Sequence, residues 1–148
     1  MGQQQLLLIV LGVIIVGIAI AVGISMFKSN AQSSNRDQVI NDLNNLAAKA
    51  QQYYRKPTSM AGGGQSFGGF NLAPVDTGNA NGSYSVTSSP PSGATFVPGS
   101  ITAVGTVGTA LDSIYIVGCG KEKGNDGTNV VKAYSTVTAN QAVAKVLN

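Results

Sequence analysis

The feature that most constrains the fold is Leu6 to Phe27, LLLIVLGVIIVGIAIAVGISMF, 22 residues without a charged side chain. A helix rises about 1.5 Å per residue, so this stretch reaches roughly 33 Å, enough to cross a bilayer core of about 30 Å. Only Gly12, Gly17, Gly23 and Ser25 interrupt its apolar surface. A helix that is apolar on every side must be buried on every side, in lipid or among other apolar helices. No other stretch of the chain is long and apolar enough to cover it.

A removable secretory signal has a positive start, a short apolar stretch and a small-residue cleavage site. Met1 to Gln5, MGQQQ, carries no charged side chain, and no clear A-x-A site ends the run. A plain single-pass anchor is the stronger alternative. Lys28 and Arg36 follow the run and nothing basic precedes it, so charge bias says little about orientation.

The remaining residues suit one small domain. The 148-residue chain has nine Lys and Arg against six Asp and Glu, net +3, and the basic residues are scattered, so no nucleic-acid footprint is read. There is no histidine, the commonest general base and metal ligand. With few carboxylates besides, no catalytic constellation, cofactor site or metal site is found. The lone Cys119 excludes an intrachain disulfide and reads as a small buried hydrophobe at a strand end rather than a reactive thiol.

After the apolar run, Gln32 to Asp37 is polar and is either a helical neck or a short break, with Asp37 placed to cap a restart. Val39, Leu43, Leu46, Ala50 and Tyr53 then repeat at helical spacing, widened by Ile40, Ala47 and Tyr54. That is an amphipathic helix with one face for a core. Arg55 and Lys56 suit a helix C-terminus, and Pro57 stops the helix. With no proline before Pro57, one near-continuous helix of about 50 residues is expected.

Ala61 to Phe70, AGGGQSFGGF, lacks the lysine and the preceding strand of a phosphate loop. It reads as a connector with Phe67 and Phe70 as apolar anchors. Short β-type runs follow: Tyr84–Ser88, Ala94–Val97, Ile101–Val107, Ile114–Val117 and Val130–Thr138, with a hairpin turn at Asn125-Asp126-Gly127. Four or five strands are expected in one antiparallel sheet, and Ala142 to Leu147 is a short helix or an edge strand. The fold class is α+β. Residues 1–30 form the apolar helix, 31–57 its amphipathic continuation, and 58–148 a glycine-rich connector and β-sheet head that covers the Val39–Tyr54 stripe.

This layout resembles a type IV pilin or one of its pseudopilin relatives, most specifically in its first half. Mature chains of that family begin with a short polar start, then about 20 apolar residues, then an amphipathic helical half under an antiparallel sheet. The resemblance implies Met1 as the first mature residue, methylated after prepilin peptidase removes a charged leader; the alternative frame begins at Gln3. Most pilins carry glutamate where Gln5 stands, so Gln3, Gln4 and Gln5 are either an amide network around the N-terminal amine in a filament core or the solvated edge of a membrane helix. The proline many bacterial pilins have near Val22 is absent, and Gly12, Gly17 and Gly23 are the positions for bending or close helix packing. The paired C-terminal cysteines of many bacterial pilins are missing as well.

What the resemblance implies is a homopolymer: a helical extracellular filament for adhesion, motility or surface contact, with the subunit stored in the cell membrane and handled by an inner-membrane assembly machinery. A minor pilin, a secretion pseudopilin and an anchored binding domain that never polymerises are the alternatives. Asn81-Gly82-Ser83 fits an N-glycosylation acceptor, a triplet that also arises by chance. Asp126 with Glu122 and Asn125 reads as the hairpin turn rather than a calcium loop.

Overall fold

The computed structural model describes residues 2–92, 103–106 and 108–148. Met1 and the expected strand Ala94–Val97 lie outside the described residues. One helix, α1 (Gly2–Arg55), runs 54 residues without a break, about 80 Å at the usual rise. Asp37 lies inside it, so there is no restart to cap: Gln32 to Asp37 has no proline or glycine to break the backbone ladder. Pro57 follows the end of the helix.

The expected stripe is the buried face. Val39, Leu43, Leu46, Ala47 and Ala50 are buried, and Tyr53 and Tyr54 pack against the same core. Phe67 and Phe70 anchor the glycine-rich connector in that core, Tyr54 meeting Phe67 at 4.8 Å and Tyr53 meeting Phe70 edge-on at 5.5 Å between ring centroids.

The connector leads through a 3₁₀ turn (Thr58–Met60) to β1 (Phe70–Asn71), a second 3₁₀ turn (Pro74–Asp76), and then β2 (Gly82–Thr87), β3 (Ala103–Val104), β4 (Ser113–Lys123), β5 (Val130–Thr138) and β6 (Ala142–Val146). The main sheet is antiparallel with four strands in the order β2-β4-β5-β6, and it packs on the second half of α1. The tail is therefore the edge strand.

Two strands differ in extent or pairing from expectation. Of Ile101–Val107, only Ala103–Val104 is strand among the described residues, and it pairs with Phe70–Asn71 in a separate ladder instead of joining the sheet. The second is β4, eleven residues long where Ile114–Val117 was expected. Its extension, GCGKEK, has poor β-propensity, but tertiary packing requires it. A Cβ on Gly118 would sit 2.9 Å from the Tyr84 ring and 3.0 Å from Val39 Cγ1, and one on Gly120 would collide with Asn35 Oδ1. Both glycines let α1 lie close against the strand.

Side chains alternate across the sheet. Ile114 and Ile116 face the helix with Ala133 and Val137, while Val117 and Cys119, on the opposite face of β4, are buried too. Cys119 is thus interior to the strand rather than at its end, and burial pushes its thiol pKa up, with Lys132 opposing.

Candidate functional site

Among the described residues, the exposed large apolar side chains are concentrated in the first half of α1. Every large apolar side chain from Leu6 to Phe27 is at least half exposed, from 51% at Val22 to 77% at Phe27. By length and composition this helix can cross a membrane. A contiguous apolar surface of this size marks a contact with lipid or protein.

The candidate residues map onto it as follows. Gln3, Gln4 and Gln5 form the exposed first turn. Gly12, Gly17 and Gly23 remain helical, and a Cβ at any of them would meet nothing within 4 Å. They are notches in a bare surface. Burial starts only at the neck, where Ala31 and Gln32 are half-buried and Asn35 is buried. The apolar spine and the core stripe are successive parts of one rigid rod.

The neck is tied to the head through Asn35 and Asp42, two helix residues the sequence did not single out. Asn35 Nδ2 donates to the Asn81 carbonyl at 2.9 Å, and Asn35 Oδ1 accepts from the Glu122 amide at 3.4 Å. Asn35 lies four residues before Val39, on the core stripe, and a polar residue at such a position was the available signal. Two turns on, Asp42 Oδ2 accepts from the Tyr84 hydroxyl (2.6 Å), Asn79 Nδ2 (2.7 Å) and Asn81 Nδ2 (3.2 Å). Burial raises the Asp42 pKa, but these three hydrogen bonds outweigh it and hold it below the usual value. Burial first, and then the bond to Asp42, raise that of Tyr84. Asn81, the glycosylation candidate, is half-buried and has its side-chain amide on Asp42 and its carbonyl on Asn35.

Arg36, beside Asn35, is half-buried, with Nε and Nη2 enclosed and unpaired among the described residues. At the far end of the head, Lys49 pairs with Asp76 at 2.6 Å on the surface.

The β4–β5 hairpin tip reaches the neck. Gln32 Nε2 donates to Asn125 Oδ1 at 3.2 Å. The Asp126 carboxylate folds back on its own turn, accepting from the Thr128 and Asn129 amides and from Asn129 Nδ2, and Gly127 takes φ +67°. The Asn129 side chain and the Thr128 amide bring the Asp126 pKa down to about 2. Asp126 acts as a turn former. Among the described residues, no three His, Cys, Asp or Glu side chains gather to hold a metal.

What the fold defines is an α+β protein with a long apolar helical stem continuous with its core helix. Comparison with known protein families, with curated proteins and with solved structures finds no match.

Proposed function

We propose that this chain is a structural, non-enzymatic subunit of the type IV pilin kind. It polymerises through Leu6–Phe27 into an extracellular filament that serves adhesion, motility or surface contact. The observation that carries this reading is the unbroken α1, bare from Leu6 to Phe27 and buried in the head from Asn35 on. A membrane-anchored domain that works alone needs no rigid connection, and a flexible linker suits it better. A rod that runs from the core into the stem fixes the head relative to its neighbours in a polymer.

The stem has two solvents in succession. In the cell membrane it is covered by lipid, and prepilin peptidase and the assembly machinery act on it there. In the filament it is covered by copies of itself through a contact that does not close into a ring. Apolar burial is worth about 25 cal/mol per Å² in either setting, so exchanging lipid for helices need not cost the full transfer energy. Gly12, Gly17 and Gly23 admit neighbouring helices closely. The first residue is methylated Met1, or Gln3 in the alternative frame.

The test is electron microscopy of material sheared from producing cells, labelled with antibody to the head. Decorated fibres are expected. Label confined to membranes, with no fibres, would leave the anchored domain as the better reading.

A further inference from the structure

The end of the apolar stretch and the tip of the β4–β5 hairpin meet at one level of the molecule. Lys28 directly follows Phe27, and Gln32, one turn on, holds Asn125 of the tip. Between them lies an open groove of about 540 Å³ lined by Lys28, Gln32, Glu122, Lys123, Gly124 and Gly127. Lys28, Lys121 and Lys123 are exposed. Of the two acids of the hairpin, Asp126 is turned onto its own loop, and Glu122 shares the groove with the ammonium groups of Lys28 and Lys123.

We propose that this collar is a docking surface for anionic phospholipid headgroups, which rests on the reading of Leu6–Phe27 as a membrane span. With Phe27 at the edge of the hydrocarbon, Lys28 lies in the phosphate layer, where lysines next to spans place their ammonium groups. Gln32 and the tip it holds stand roughly 7 Å further along the helix, still at headgroup depth. Lys121 and Lys123 then face the same anionic surface, and the groove between Lys28 and Lys123 seats one phosphate. Each lysine near such a surface strengthens the contact about fivefold, within a Debye length of it. The head of a stored subunit is held down on the leaflet, and the contact breaks when the subunit leaves the membrane.

The test uses the full chain in lipid nanodiscs, one set of phosphatidylcholine alone and one containing phosphatidylglycerol. Each lysine is followed by amine-reactive labelling and mass spectrometry. Lys28, Lys121 and Lys123 are expected to label several-fold more slowly in the anionic discs, with added salt restoring the rate, while Lys56 at the opposite end of the head is unchanged. A chain carrying Lys121→Gln and Lys123→Gln should insert as well as the wild type and lose most of the difference at Lys28. Equal labelling of the inserted wild type in both disc types overturns the collar and leaves the span intact. A chain that fails to enter either disc overturns the span reading, and the collar with it.

Discussion

The Tyr84 hydroxyl donates a 2.6 Å hydrogen bond to Asp42 Oδ2, joining the first strand of the main sheet to the second half of the helical rod. Removing it with Tyr84→Phe leaves a partly buried carboxylate with fewer donors and should destabilise the head by about 1–2 kcal/mol. Thermal unfolding of the detergent-solubilised chain measures it.

The same bond gives the head a pH dependence. The folded Asp42 pKa lies below its ordinary 3.8, so its contribution is complete above that value and is lost as the pH falls through the lower folded one. Asp42→Asn should flatten the acid limb of the stability profile. At the other end, the raised Tyr84 pKa means stability declines as the pH rises beyond tyrosine's ordinary 10.0, and Tyr84→Phe removes that decline. Unfolding midpoints measured across pH, with a profile unchanged in both variants, would dismiss the pair as the cause.

Gly118 and Gly120 set how closely α1 meets β4. Gly120→Ala drives a methyl into Asn35 Oδ1 and should destabilise by roughly 1–3 kcal/mol. Because the severe clash is with Asn35, Val131 Cβ being tight only at 3.2 Å, the effect should shrink in an Asn35→Ala background, and a double-mutant cycle reads the coupling. Strictly additive effects would show that the strain lies elsewhere.

The stem glycines behave oppositely. A Cβ at Gly17 meets nothing in the single subunit, so Gly17→Leu should leave the unfolding midpoint of the head unchanged. In a filament the added side chain blocks close helix approach, and the yield of sheared fibres should fall sharply. Full fibre yield from this variant would remove Gly17 from the packing surface.

Arg36, at the neck, holds enclosed guanidinium nitrogens that are unpaired among the described residues. Replacing a poorly satisfied charge with an apolar side chain of similar length relieves its desolvation. Arg36→Met is expected to stabilise the isolated chain by about 1 kcal/mol, a rise of about 4 °C for a folded unit of roughly 100–150 residues. A lower midpoint would mean that Arg36 stabilises the subunit through its stem and packing.

Much of the architecture was legible because it is written in periodicity. The charge-free run from Leu6, the stripe from Val39 to Tyr54 and the stop at Pro57 specify the rod, and Asn125-Asp126-Gly127 specifies the hairpin. The length of β4 was not legible, because Gly118 and Gly120 look like strand breakers until the helix they accommodate is in place. Nor was the pairing of Phe70–Asn71 with Ala103–Val104, a ladder of only two residues a strand between segments that β2 separates in the chain. Asp42 carries no signal of its own between the stripe positions Val39 and Leu43; only the fold brings Asn79, Asn81 and Tyr84 to it. The collar likewise needs the hairpin to fold down onto Gln32 before Lys28 and Lys123 become neighbours.

The most direct test of the filament reading is the intact mass and N-terminal peptide mass of this protein in material sheared from cells. The expected result is a chain enriched in the fibrous fraction and beginning at methylated Met1, or at methylated Gln3 in the second frame. A chain that keeps a basic leader and is found only in the membrane fraction would contradict it.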